Sequence, residues 1–178
     1  MLKTITYITT ITWLFCLQIS IAHAKVSNPD EGSVRAAMIF AILKYSRLSI
    51  DLSDAKLALC VVGSPTSENK LKMASGGVKV YGKEVLVLEK KSFAESVTDC
   101  HTIIYGEKTP SIDKNIQFNK QLVICDGCKE QKEFAAVELI NVNKKIRFNI
   151  NLIVSAENKV RFSSALLELA SEIKDLKK

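Results

Sequence analysis

The chain has 178 residues, with 25 Lys and Arg against 19 Asp and Glu, a length that fits one domain with its own core. A hydrophobic content of 47% with only seven glycines and three prolines excludes a disordered or low-complexity chain. Basic residues are scattered in pairs (Lys70/Lys72, Lys90/Lys91, Lys144/Lys145, Lys177/Lys178) and lack the dense arginine and interleaved aromatics of a nucleic-acid surface. The pI near 9.0 therefore describes a solvated exterior.

Met1 to Ala24 reads as a cleaved signal peptide: Lys3 supplies the positive start, Ile5 to Ile21 is largely apolar, and Ala22-His23-Ala24 is an A-x-A cleavage site. Retention as a membrane anchor is the rival reading, because the apolar run is near the lower length limit for spanning. A lipoprotein reading through Cys16 fails on the bulky Phe15 before it. Removal of 24 residues from 178 leaves a mature chain of 154, residues 25–178, with no further span; losing Lys3 lowers the formal charge from +6 to +5.

Asp30-Glu31 then opens a helix in which Val34, Ala37, Met38, Ala41, Ile42 and Tyr45 recur at spacings of three and four, a stripe expected to face the core. Leu57-Ala58-Leu59-Cys60-Val61-Val62-Gly63 is a continuous apolar run, the pattern of a parallel strand covered on both faces. Thr66 to Ala74 reads as a short crossover helix capped by Thr66 or Ser67. Val78 to Tyr81 and Glu84 to Leu88 read as extended chain jointed at Gly82-Lys83. His101 to Gly106 is a third short strand, Pro110 to Phe118 a helix, and Gln121 to Cys125 another buried strand.

The last third changes period twice. Val137 to Val142 and Lys145 to Asn151 are strands, the second alternating Ile146, Phe148 and Ile150 with Lys145, Arg147, Asn149 and Asn151; Asn143-Lys144 between them suits a tight reversal. Phe162 to Ala170 then places Ala165, Leu166, Leu169 and Ala170 on one helical face, with a serine before it able to cap. The expected fold is α/β: a layered, mostly parallel sheet flanked by helices, with a C-terminal antiparallel hairpin and closing helix. No internal repeat or second domain is visible.

Catalytic chemistry is not written in the chain. There is no G-x-S-x-G, P-loop, G-x-G-x-x-G or H-E-x-x-H pattern, and no cofactor or metal is implied. His101, the sole mature histidine, lies in an apolar strand and reads as a satisfied core residue. Gly76-Gly77 reads as a turn, and Asp51/Asp54 and Glu130/Glu133 as solvated acids near element ends. Cys125-Asp126-Gly127-Cys128 admits an inert disulfide, a redox-responsive pair, or metal-bound or free thiols. A thioredoxin-like enzyme with Cys125 as attacking thiolate would need a proline downstream of the motif, yet Pro29, Pro65 and Pro110 all precede it. A zinc site would need Cys60 and Cys100 to converge on it without a second C-x-x-C. A small-ligand module using the crevice beyond the parallel strands is a further class.

Ile146-Arg147-Phe148-Asn149-Ile150-Asn151-Leu152 followed by Val160 to Ala170 resembles the carboxyl-terminal signature of the YfiR family, in which an "RFEIN" strand precedes a short helix, an "ISS" turn and an "LLxLA" helix. Val34 to Phe40 with Lys44-Tyr45 is similar to its first helix, "VKAAFLYxFxKY"; Leu59 to Gly63 to its "CVLG" strand; and Cys100 to Tyr105 to its "CHVLFI" strand. Arg47-Leu48-Ser49-Ile50 departs from it where the family carries a Trp-Pro pair. The resemblance implies a periplasmic, non-enzymatic repressor that binds the periplasmic domain of an inner-membrane diguanylate cyclase, lowering cyclic-di-GMP and biofilm formation, and that forms a homodimer. It implies a Cys60–Cys100 disulfide, whose forty-residue loop constrains the unfolded chain by roughly 4 kcal/mol, and the idea of a second disulfide, for which Cys125 and Cys128 are left, although the family's second pair is not spaced as C-x-x-C. The smaller ring is the more readily reduced of the two and a candidate redox latch. In the family the partner meets a hydrophobic patch on the first helix, which points here to Ile39, Phe40 and Leu43.

Overall fold

Apolar runs separated by turns assemble an eight-stranded, mostly parallel sheet. This computed structural model describes residues 29–49 and 55–175. The leader 1–24 with Cys16, the residues Ile50, Asp51 and Asp54, and the Lys177/Lys178 pair lie outside them. At the centre are β2 (Lys56–Val62), β5 (Thr102–Tyr105) and β6 (Leu122–Asp126), parallel and in register at Val62, Tyr105 and Cys125. Every residue of β5 and β6 is buried, as a strand covered on both faces requires. Outside these, β4 (Lys83–Lys90) and β7 (Val137–Val142) run parallel to their neighbours, while β3 (Lys79–Val80) and β8 (Lys145–Asn151) return antiparallel to them. The edge strand β10 (Glu172–Lys174) lies parallel to β8. Because the chain winds from β2 to β4 and then to the other side for β5, the topological switch falls between β2 and β5.

Helix α1 (Glu31–Tyr45) starts at Asp30, whose carboxylate accepts the Ser33 amide at 3.0 Å. With α2 (Glu68–Ala74) and the terminal helices α4 (Leu152–Glu157) and α5 (Ser164–Leu169), it supplies the cover for one face of the sheet. Ile39, Ile42 and Leu43 sit there with Leu57, Leu59, Val61, Ile104 and Ile124. Alternation sends Cys60, Val62, Ile103, Tyr105, Val123 and Cys125 to the opposite face, closed by α3 (Phe93–Asp99) and an aromatic group in which Phe93 meets Tyr105 and Phe118 edge-on at 5.3 and 5.5 Å. A second, two-stranded sheet pairs β1 (Ser46–Arg47) with β9 (Arg161–Phe162) and ties the exit of α1 to the segment between α4 and α5.

The hairpin turn is the one the sequence announces: Asn143 and Lys144 both hold positive φ, 51° and 63°, the conformation a two-residue reversal between right-twisted strands needs. Three expectations are corrected and one helix is added. Pro110 to Phe118 is not helical. Asp113 instead accepts from the backbone and side chain of Asn115, a local turn that competes with helix, and Ile112 and Phe118 plug into the aromatic cluster. Helix α3 was not expected, although Ser92-Phe93-Ala94-Glu95 is a capping pattern: Ser92 Oγ accepts from the Glu95 amide, and the Glu95 carboxylate from that of Lys91. In α5 the buried residue is Leu166, with Leu167 and Ala170 packed beside it, whereas Ala165 is exposed and Leu169 is 69% exposed. In α1 the buried residues are Arg35, Ala36, Ile39, Ile42 and Leu43, so the stripe expected to face the core points mostly outward.

Candidate functional site

Helix α1 is apolar almost all the way round from Val34 to Leu43, so its period could not tell which face is inside. The core takes the arc centred on Ile39. At 100° per residue the opposite arc carries Val34, Ala37, Met38, Ala41 and Tyr45. Ala37, Ala41 and Tyr45 are exposed, Val34 and Met38 partly so, and only Ser33 and Lys44 interrupt the arc with polar groups. Of the residues expected to meet a partner, Ile39 and Leu43 are at 0% exposure and held in the core; Phe40 is half-buried against it. Ile39 and Leu43 are thus enclosed in this fold, and a partner reaching the helix meets the other arc first.

What holds α1 against the sheet is polar as well as apolar. Arg35, at 5% exposure, donates from Nη1 to Asp126 Oδ1 at 2.8 Å and to the Leu139 carbonyl at 3.3 Å, and from Nε to Glu31 at 2.8 Å. Asp126 is fully buried, and its other oxygen accepts the Ser67 amide at 2.8 Å and the Ser67 hydroxyl at 2.6 Å. One carboxylate thus joins α1 to the start of α2, and the guanidinium carries the link on to β7. A buried charge is tolerated only when paired and hydrogen-bonded, and this pair meets both conditions. Of Thr66 and Ser67, the two residues expected to cap α2, Ser67 holds the cap position, but its hydroxyl goes to Asp126 and not to the helix. At the far end of α1, the Tyr81 hydroxyl points to the carbonyls of Leu43 and Ser46, and burial pushes its ionisation up, so the donor stays protonated.

Asp126 lies inside the ring Cys125-Asp126-Gly127-Cys128. The Cys125–Cys128 bond, with Cα atoms 5.5 Å apart, sits on the aromatic side of the sheet, while alternation along β6 turns the Asp126 carboxylate to the α1 side. Gly127 holds φ +81°, and a Cβ there would lie 2.5 Å from Thr66 Oγ1, so the ring and the loop before α2 fit only with glycine. The second bond joins Cys60 in mid-β2 to Cys100, the residue closing α3, with Cα atoms 5.9 Å apart. Beside it His101 accepts the Ala58 amide through Nδ1 at 2.9 Å, a structural role in the sheet.

The other chemistries find less here. No helix opens at Cys125; after the ring comes only a single 3-10 turn at Lys132–Phe134, so Cys125 lacks the helix amino end that activates a thioredoxin-type thiolate. All four described cysteines are engaged in disulfides. The crevice at the topological switch is filled by its own loops: Gly63 packs against the Thr109 backbone with no space for a Cβ, and Lys108 N donates to Gly63 O at 2.8 Å. What remains beside it is an open hollow of about 300 Å³ edged by Lys90, Lys91 and Lys108 against Glu68 and Glu89.

Among the described residues no helix is long and apolar enough to cross a membrane. A model of the YfiR/HmsC-like family matches residues 32–171, from the first turn of α1 to the residue before β10. No curated protein matches the sequence.

Proposed function

The chain belongs to the YfiR/HmsC-like family, a regulatory rather than catalytic group that supports a periplasmic regulator role in general, and from that premise we propose a specific one. The protein binds the periplasmic domain of an inner-membrane diguanylate cyclase and holds it inactive, which lowers cyclic-di-GMP and biofilm formation. It reaches the periplasm through the Met1–Ala24 signal, cleaved after Ala24, and residues 25–178 act there as a single homodimeric domain without catalysis of their own.

The observation that carries this reading is the outer arc of α1. Val34, Ala37, Met38, Ala41 and Tyr45 form an apolar strip on a well-anchored helix, a place where a partner gains contact area without reordering the binder. The two alanines let another helix or strand approach closely, and Tyr45, 51% exposed, supplies an aromatic anchor at one end. Repression follows if this strip fits the inactive form of the cyclase better than the active one. Moving the cyclase from 1:99 to 99:1 takes about a 10⁴-fold difference in affinity, about 5.5 kcal/mol.

The test is titration calorimetry between residues 25–178 and the periplasmic domain of each inner-membrane diguanylate cyclase of the source organism. Wild-type protein should bind one of them, and Ala41→Glu should abolish that binding while unfolding at the wild-type temperature. Ile39→Asp should fail to fold, because it places a carboxylate in the core. Ala41→Glu binding as wild type would remove the outer arc from the interface. The absence of any cyclase partner would remove the function.

A further inference from the structure

We propose that the outer edge of β10 is where two copies of this chain meet, pairing antiparallel about a two-fold axis at Ile173 so that one sheet runs through both. This deepens the homodimer of the reading above by naming the surface that makes it, and it rests on that reading for the dimer alone.

The two ends of the sheet are finished differently. At one end β3 is two residues long, carries the exposed Lys79, and runs into a turn where the Tyr81 hydroxyl is tied to the Leu43 and Ser46 carbonyls. A short, charged, pinned strand resists pairing. At the other end β10 has no strand on its outer side among the described residues, and all three of its residues are exposed. Ile173 is 42% exposed there, and Leu169, at the end of α5 just before the strand, 69%. An open edge with apolar side chains is a template for another strand.

The backbone leaves one residue free to bond outward. Asn151 N donates to the Ala136 carbonyl at 2.9 Å, so Asn149 and Asn151 turn their main-chain groups to β7, and Phe148 and Ile150 turn theirs to β10. The parallel register sets Ile173 beside Ile150, so Ile150 bonds to Glu172 and Lys174 on either side of it. The Ile173 amide and carbonyl therefore point to the open edge. Set opposite itself across a two-fold axis, Ile173 exchanges both hydrogen bonds with its counterpart.

That register is complementary in charge. It places Glu172 of each copy opposite Lys174 of the other, at the non-hydrogen-bonded positions where side chains approach most closely. Within one copy neither has an ion-pair partner among the described residues. The order acid, isoleucine, base is its own complement when read antiparallel, and for that reason the occupant is a second copy. A three-residue strand makes a small interface, so the dimer dissociates on dilution.

Sedimentation equilibrium of residues 25–178 over a concentration series tests the pairing. Wild type should be dimeric at high concentration and monomeric when dilute. Ile173→Asp, which sets two carboxylates against each other, should weaken the dimer at least about tenfold while unfolding at the wild-type temperature. Glu172→Lys and Lys174→Glu should each do the same, and an equimolar mixture of the two should form dimers containing one of each, seen by native mass spectrometry. If Ile173→Asp does not fold, this exchange of exposed charges carries the test. A wild-type dimer that Ile173→Asp leaves intact, or a mixture that stays monomeric, overturns the pairing and leaves the homodimer standing. A wild type that is monomeric at every concentration overturns both, and loss of cyclase binding in Ile173→Asp would then give the edge to the cyclase.

Discussion

The Cys60–Cys100 and Cys125–Cys128 bonds both lie on the aromatic side of the sheet, but they enclose very different lengths of chain: sequence separations of 40 and of three. The first ties the middle of β2 to the end of α3 across a whole crossover, so its removal releases a long loop in the unfolded chain. The loop-entropy model gives about 4 kcal/mol for it and about 2 kcal/mol for the small ring. The small ring contributes less to global stability, and Asp126 inside it is held independently by the β6–β7 pairing and by its carbonyl's bond to the Thr66 amide. A fold that loses the first bond loses much of its margin; one that loses the second keeps its sheet and the seat of α1.

That contrast can be broken or sharpened in order of effect. Cys60→Ser with Cys100→Ser should lower stability by about 4 kcal/mol in urea unfolding followed by circular dichroism. A drop no larger than that of the small-ring variant would erase the distinction. Arg35→Met alone should cost about 3 kcal/mol, since it strands the buried Asp126 carboxylate, and pairing it with Asp126→Leu should recover a large part of that loss. A single variant as stable as wild type would mean that the pair does not hold α1. Cys125→Ser with Cys128→Ser should cost about 2 kcal/mol and leave the far-ultraviolet spectrum unchanged. Ala41→Glu should alter stability by less than about 0.5 kcal/mol, as a substitution on the open arc.

The smallest effect is a pH dependence at the start of α1. Hydrogen bonds from Lys70 and then Ser33 lower the Asp30 carboxyl from 3.8 to about 2. A depressed carboxyl contributes to the folded state above its unfolded value and loses that contribution as pH falls through its folded one. Protection of the first-turn amides of α1 should therefore decline between about pH 4 and pH 2 in wild type, and show no such step in Asp30→Asn.

The sheet was largely legible because its signals are local. Unbroken apolar runs in β2 and β6, alternation in β8, and Asn143-Lys144 between two strands each report their own conformation within a few residues. The 110–118 loop hides its turn, because Asp113 and Asn115 are turn formers inside an apolar-spaced segment, and α3 announces itself only through the Ser92/Glu95 cap. The site was harder. With apolar residues on every side of α1, orientation is decided by the sheet, not by the helix. Arg35 and Asp126 stand 91 residues apart, so no motif joins them. A hint was available nonetheless: an arginine in an apolar helix and an aspartate ending an apolar strand each need a buried partner, and each is the other's.

The most direct measurement is cellular cyclic-di-GMP in the source organism with this gene deleted, restored as wild type, and restored as Ala41→Glu. The account predicts a rise on deletion, reversed by the wild-type gene and not by Ala41→Glu at equal protein abundance. No rise on deletion in a strain whose cyclases are active would contradict it.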